Sequence, residues 1–491
     1  MMKQFFENKA KQPFFWILSF LIFLVGIYFR TFHYLTNRSY WHDECSLAVN
    51  LITHNCYQLF LPLSHSQSAP PIFLFFSKLL FDLFPHNMEL ATRFIPFILS
   101  LFSIFLFFKL STMVFQKKHT ILVANFLFAV NYQLIYYSQE FKQYASDVFW
   151  VLLLILLFTK IDFPSLKKTN LICLSLFLAI CPLLSLPSVF VILTFFILVI
   201  LKKWFSLKFV VFTLPFVIIN LFYYIFNLSP SKKLFLKVFP DFWADGLLNF
   251  NLLNIFSNLE HNFRYFFTPI NLFFPTLILF ILGIFYAIKS KNNVLKFIVG
   301  VIIVAYAFAF VNIYPMLTRV CLYILPLFLI LILLPLDYIS IKKKKFTIFI
   351  LFLIYLFVKV YTTNYLVVIN NKNTFIRENA KDIIQHLIKN YNPEDIFVYN
   401  DSSDSEFMVY TYIYNFSPKK ICRINLAYPG EDWYPSILDK LPNNSSYVFY
   451  YPFDYAKRPV IPYLKQWIRD NCIIIDELEL NKSYYAKVIR K

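Results

Sequence analysis

The chain has 491 residues, 59% of them hydrophobic and 21% aromatic, and a mean hydropathy of +0.60. A soluble domain needs a polar exterior and cannot hide that much apolar surface, so a soluble globular protein is excluded. The formal charge is +19, yet the lysines fall in short clusters between apolar runs; this argues against nucleic-acid binding and follows the positive-inside rule instead.

In chain order, Lys3, Lys9 and Lys11 precede an apolar run from Phe14 to Phe29, with no small-x-small cleavage site after it. This reads as an uncleaved signal anchor, with the N-terminus cytoplasmic and residues 30 onward outside. The stretch "SYWHDECSLAVNLI" (39–52) follows, carrying the adjacent carboxylates Asp43 and Glu44. Next comes "PPIFLFFSKLLFDLF" (70–84). It contains Lys78 and Asp82 and is too short to cross hydrocarbon comfortably, so an interfacial or re-entrant helix is expected. Parity agrees, because a non-spanning segment leaves Lys117 and Lys118 on the cytoplasmic side.

Further spans are predicted near 94–110, 120–137, 147–159, 170–185, 187–201, 208–226, 270–288, 294–313, 319–340 and 346–363. With 14–29 these make eleven, and "SLPS" (185–188) marks the turn of a helical hairpin. Every predicted inner loop bears lysine, ending with "KKKK" at 342–345. Beyond 363 the pattern becomes polar and globular. "TFIRENAKDIIQHLIKN" places Ile376, Ile383, Ile384 and Leu387 on one helical face, and strand-like runs follow at 396–399, 447–451 and 472–480. The fold class expected is therefore a polytopic α-helical membrane protein (residues 1–365) with a small C-terminal α/β domain (366–491), placed outside by parity.

Seven cysteines are scattered, with no CxxC. Cys45 with Cys56 and Cys422 with Cys472 suit disulfides outside the cytoplasm, and unpaired thiols suit them equally. His42 and His65 lack an i+3 or i+4 partner, so no metal site is expected.

Three outer segments carry the polar residues. Residues 30–93 hold Trp41, Asp43, Glu44, His65, Gln67 and Arg93; "YYSQEFKQYASD" (136–147) holds Gln139, Glu140, Lys142, Tyr144 and Asp147; the long loop 227–269 holds Arg264. Arg319, at the outer end of a late helix, joins them. Carboxylates beside cations at one membrane face suit transfer of a group from an anionic, membrane-held donor. An ordinary Asp is ionised at pH 7 and can take a proton from an acceptor hydroxyl, while Arg or Lys can stabilise a departing phosphate. Bland roles compete: an acidic pair in a loop is more often a solvated turn or cap, Glu140 with Lys142 suits a surface pair, and Trp41, Arg93 and Arg319 suit headgroup anchors.

The order of these features carries a resemblance. An N-terminal helix, a loop with an Asp-Glu pair, a Pro-Pro-aliphatic-aromatic segment and an Arg opening the next helix come first. A Gln-Glu-x-basic-x-Tyr loop, an Arg near a "LPLFLIL" helix and a polar tail follow. The arrangement over residues 10–365 resembles the GT-C membrane glycosyltransferases, in particular glycosyltransferase family 39 with the protein O-mannosyltransferases and the lipid A aminoarabinose transferases. The resemblance implies inverting transfer of a sugar from a polyprenyl-phosphate carrier to a protein, lipid or glycan acceptor on the outer face, without a tightly bound metal and most naturally in a bacterial inner membrane. It maps the base onto Asp43 with Glu44 beside it, and an acceptor-orienting acid onto Glu140. Arg93, Arg319, Lys142, Arg264 and Lys78 become candidates for the donor phosphate, and Trp41, His65, Gln139 and Tyr144 for shaping the pocket. The sequence departs from some relatives before the Pro-Pro pair, where it has Ala69 instead of a basic residue, and in the second loop, where Lys142 lacks the bidentate fork of an Arg. A flippase or transporter of lipid-linked sugars is the chief alternative, but such proteins carry intramembrane charges and Gly-interrupted helices, and this chain has five glycines in all.

Overall fold

Apolar runs bounded by polar caps become helices. The computed structural model describes residues 13–238, 246–267, 273–338, 378–424, 438–452, 461–480 and 483–491. The helices are α1 (Pro13–Leu35), α2 (His42–Thr53), α3 (Pro71–Leu83), α4 (Met88–Val114), α5 (Lys118–Ala129), α6 (Tyr132–Tyr137), α7 (Tyr144–Phe158), α8 (Lys168–Leu184), α9 (Ser188–Leu201), α10 (Leu207–Tyr223), α11 (Ser229–Val238), α12 (Leu252–Phe266), α13 (Phe273–Lys289), α14 (Asn293–Phe310) and α15 (Leu325–Tyr338). Among the described residues, five helical stretches have the length and apolarity to cross a membrane: Pro13–Leu35, Met88–Val114, Leu207–Lys237, Asn293–Phe310 and Thr318–Tyr338. Four shorter apolar helices, α7, α8, α9 and α13, lie among them. The protein is a helical membrane protein with a small C-terminal sheet.

Several predicted spans differ in detail, each for a local reason. The first helix runs on to Leu35, so the loop starts later than residue 30; Arg30 lies buried in it, donating to Ala129 O at 2.8 Å and Gly26 O at 3.1 Å. That guanidinium satisfies a carbonyl at the C-terminal end of α5, where helical partners run out. The single helix expected over 120–137 is consequently broken. Asn131 caps the restart at α6 by accepting from Leu134 N at 3.1 Å, and its Nδ2 donates to Phe266 O at 2.8 Å. The helix expected from 319 opens as a tight 3₁₀ segment, Thr318–Ile324, with non-helical angles at Cys321. The segment 70–84 forms α3, which at 13 residues reaches only about 20 Å, short of a bilayer core. The span expected at 346–363 lies outside the described residues.

Close helix packing explains one of the five glycines. A Cβ built on Gly283 of α13 would stand 1.9 Å from Leu331 O of α15, which is backbone and cannot swing aside. Gly283→Ala gains about 1 kcal/mol of helix propensity but must push two helices apart, which costs about 1–3 kcal/mol or more. We expect a lower apparent Tm for the detergent-solubilised variant, read by thermal unfolding; an unchanged or raised Tm would show that the crossing yields easily.

The C-terminal unit comprises α16 (Ala380–Asn390), β1 (Ile396–Asn400), α17 (Asp404–Ile413), β2 (Lys420–Ile424), β3 (Ser446–Tyr451), α18 (Ile461–Asn471), β4 (Cys472–Leu480) and β5 (Ser483–Arg490). The sheet order is β2-β1-β3-β5-β4; β1 is parallel to β2 and β3, and β5 is antiparallel to β3 and β4. Strands β1, β3 and β4 occupy the strand-like runs of the sequence, whereas β2 and β5 were not expected. Ile383, Ile384 and Leu387 are buried as the helical periodicity requires, and Ile376 lies outside the described residues. All seven cysteines are free thiols. Cys422 on β2 and Cys472 on β4 sit on opposite edges of the sheet, about 19 Å apart at normal strand spacing, beyond the roughly 7 Å limit of a disulfide.

The chain leaves β1 for β2 on one side and returns to β3 on the other, so the carboxyl end of β1 is a topological switch point. That end is followed by α17, which packs on α2. One apolar cluster runs through both parts, joining Tyr40, Leu47, Phe73 and Phe141 to Ile384, Phe397, Val409 and Tyr485.

Candidate active site

Asp43 and Glu44 occupy the first turn of α2, and successive positions on a helix point about 100° apart. Their environments are opposite. Glu44 is completely buried (0% exposed), whereas the Asp43 side chain is 21% exposed.

Glu44 is the hub of a brace. Arg93 of α4 donates to it through Nε to Oε1 at 2.8 Å and Nη2 to Oε2 at 2.8 Å, a fork-to-fork pair. The Phe141 N–H donates at 2.7 Å, and Arg38 Nη1 lies 3.3 Å away. Burial pushes the Glu44 carboxyl up, but Arg93 and Arg38 outweigh it and hold the group below its ordinary range. Arg93 also donates to Arg38 O at 2.6 Å and Ser39 O at 3.3 Å, and its guanidinium lies 4.8 Å from the ring centre of Tyr40. These bonds fasten α2 to α4 and to the 138–143 loop. With both faces of its fork engaged in the protein, Arg93 sits as a brace rather than as a donor-phosphate contact.

Asp43 faces the other way. Its Oδ2 accepts from Arg319 Nη2 at 2.6 Å, and that guanidinium, 17% exposed, lies over the Trp41 ring at 5.1 Å. Lys142 is buried close by and donates to Gln67 Oε1 at 2.6 Å. Burial lowers the affinity of its amine for a proton; Asp43 and Glu140 counteract this and Arg319 adds to it. Glu140 is buried, 3.9 Å from Arg38. Tyr144 is buried at the start of α7, edge-on to Tyr137 at 5.3 Å, and the Tyr137 and Tyr265 hydroxyls are hydrogen bonded. Gln139 is buried in the same loop.

The fold thus gathers Trp41, Asp43, Lys142, Tyr144 and Arg319 around one partly open carboxylate, with Glu140 beneath. Lys78 is instead paired with Asp82 one turn along α3 at 2.8 Å, and Arg264 with Glu260 along α12 at 2.6 Å. His65 stands in a left-handed backbone conformation (φ 55°). Burial depresses its basicity, and the charges acting on it come from Asp404, Glu406 and Arg423 of the C-terminal unit and from His42. Sequence reasoning missed Arg38, though it lies directly before the stretch 39–52 and five residues before Asp43; its signal was a second arginine near a carboxylate, Glu44, that is buried. It also missed Glu378 and Glu406, whose chain distance from α2 hid them.

The site offers a partly exposed carboxylate, Asp43, with the basic side chains of Arg319 and Lys142 beside it. Among the described residues, no group of three or more His, Cys, Asp or Glu side chains is placed to hold a metal ion.

No family model matches the chain, and no curated protein sequence matches it significantly. Solved structures do. ArnT from Cupriavidus metallidurans bound to undecaprenyl phosphate aligns over 98% of this chain and 98% of its own, at 10% identity with a TM-score of 0.51. The same protein in the apo state aligns over 98% of each chain, at 8% identity with a TM-score of 0.52. Over nearly its whole length, the chain shares the fold seen in ArnT.

Proposed function

We propose that the chain is an inverting glycosyltransferase that moves a sugar from a polyprenyl-phosphate donor to an acceptor on the outer face of the membrane. The observation that carries this reading is the partly exposed Asp43 carboxylate, gripped by Arg319 and neighboured by Lys142. The likeness in fold to a protein captured with undecaprenyl phosphate supports the choice of donor.

In the reaction the acceptor hydroxyl oxygen attacks the anomeric carbon while its proton passes to Asp43. The bond from that carbon to the phosphate oxygen breaks, and the electron pair leaves with the polyprenyl phosphate. Arg319 and Lys142 stabilise the charge that grows there. Arg319 then has two anions to serve: it neutralises Asp43 in the free site and turns toward the phosphate when the donor arrives, which frees the base. Glu140 orients the acceptor, and Trp41 offers a stacking face for the sugar ring. In this reading residues 1–365 form the catalytic unit, residues 366–491 an extracytoplasmic domain, and the N-terminus is cytoplasmic.

The test is sugar transfer by membranes containing the chain, supplied with labelled polyprenyl-phosphate pentoses and hexoses. Label moving to a protein, lipid or glycan that cells without the chain leave unlabelled supports the reading. Movement of the intact lipid-linked sugar across the bilayer without transfer overturns it in favour of a flippase.

A further inference from the structure

The turn that carries Asp43 is held from a distant part of the chain. The His42 N–H donates to Glu378 Oε2 at 2.6 Å, and His42 Nδ1 lies 2.8 Å from Glu406 Oε1 of α17. Glu406 is itself fully buried, with Ser405 Oγ donating to its Oε2 at 3.1 Å. One turn further along α2, Ser46 Oγ meets Ser405 Oγ at 3.2 Å. On the approach to α2, the Tyr410 hydroxyl takes the Tyr40 N–H at 2.7 Å, lies 2.9 Å from Ser39 Oγ and donates to Glu89 at 2.8 Å. Lys381 Nζ also reaches Glu89, at 2.5 Å. These contacts fall on residues 39–46 or on their support at Glu89, and Lys381 Nζ also donates to Asn37 O at 3.2 Å. The apolar cluster shared by both parts includes Tyr40 and Tyr410, and Glu406 is buried with them, while the His42 ring keeps an exposed edge.

We propose that the C-terminal α/β unit completes the candidate active site, with Glu406 and Glu378 as positioning residues that fix the first turn of α2 and thereby aim Asp43. The proposal rests on the transferase reading, because only there does the aim of Asp43 set a rate. A tail that merely docked would need no buried carboxylates directed at the residue next to the base. Two carboxyl groups converging on one N–H and one imidazole hold both the position and the rotation of that turn, and misplacement of a reacting group by about 1 Å costs on the order of a hundredfold in rate.

The charges that face His42 are Glu406 from α17, Glu378 ahead of α16, Asp43 on its own helix and His65 from the loop between α2 and α3. Burial opposes its positive charge, but Glu406, with Glu378 and Asp43, outweighs this and lifts its pKa to about 9. Burial and Glu406 likewise raise Glu378 to about 8, against the pull of His42. The His42 pKa is raised, so its ion pair with Glu406 is in place at neutral pH and is lost as pH climbs through about 9, while Glu378, largely protonated at neutral pH, holds the turn by accepting the His42 N–H.

The experiment compares the full chain with Glu406→Gln, Glu406→Asp and Glu378→Leu, in two readouts. In transfer, we expect Glu406→Gln to lower kcat about 10- to 100-fold with KM little changed. Glu406→Asp should recover part of the loss, and the alkaline limb of the rate profile should move to lower pH in Glu406→Gln. In hydrogen exchange, amides 42–45 should exchange faster in Glu406→Gln and Glu378→Leu while α4 and α7 keep wild-type protection. Wild-type kcat with an unmoved alkaline limb overturns the proposal, whatever happens to exchange. If the wild-type chain transfers no sugar, the transferase reading falls alone: faster exchange confined to amides 42–45 then still supports the positioning of the turn, and unchanged exchange overturns it.

Discussion

Replacing Asp43 by Asn is expected to lower sugar transfer at least about a hundredfold, the usual range for loss of a general base, while the protein accumulates and unfolds like wild type. Asn keeps the shape and one carbonyl acceptor for Arg319, so the helix turn and the Trp41–Arg319 stack survive. What disappears is the lone pair basic enough to take a proton. The stability cost should be small, because an ion pair with both partners partly exposed contributes only about 0–1 kcal/mol. The measurement is transfer of labelled sugar by membranes carrying each protein, with donor binding followed in parallel. Arg319, released from a carboxylate, is left to the phosphate, so donor affinity should hold or improve as kcat falls. A variant that transfers at the wild-type rate removes Asp43 from the chemistry and turns attention to Glu140, the other acid of the cluster.

The contrast between Asp43 and Glu44 shows where sequence reading stops. Hydropathy located the long apolar helices among the described residues, because a membrane crossing needs an apolar run of about twenty residues. The acidic pair itself was also legible. Which member would face the reactant was not, because that depends on the azimuth of α2 and on a partner, Arg93, placed 49 residues away by the packing of α4. The same limit explains Arg93 and Arg319. Both open a helix near the same face, and in sequence both read as candidates for a phosphate. Only the fold spends one on a buried carboxylate and leaves the other beside Asp43. Broken helices were illegible for a related reason: the α5–α6 break is stabilised by Arg30, a side chain a hundred residues back in the chain. The C-terminal unit was recognisable as α/β from its alternation of patterns, yet its edge strand β2 is five residues long with two charged ones, Lys420 and Arg423, and carries little strand signal.

Glu44 is expected to fail in a different way. Glu44→Gln strands Arg93 and Arg38 in a site with no exposed surface, and breaking a buried, hydrogen-bonded pair costs about 3–5 kcal/mol. An amide cannot repair this, since one of its two terminal atoms is a donor turned toward guanidinium donors. That cost is a large share of the roughly 5–15 kcal/mol by which folded domains are stable, so we expect a sharply lower apparent Tm and little recovered protein. Arg93→Met should do the same from the other side, leaving a buried carboxylate with Arg38 as its remaining cation. Joining the two as Glu44→Leu with Arg93→Met removes both charges together, and such exchanges are often neutral or better in a dry interior. Here the recovery should be partial, because the Phe141 N–H loses its acceptor and Arg38 keeps its charge. Transfer per folded molecule is the deciding quantity. If Glu44 acts through the fold, the surviving fraction of Glu44→Gln transfers sugar within a few-fold of wild type. A Glu44→Gln protein with wild-type Tm and no transfer would instead make Glu44 part of the reaction and Asp43 its support.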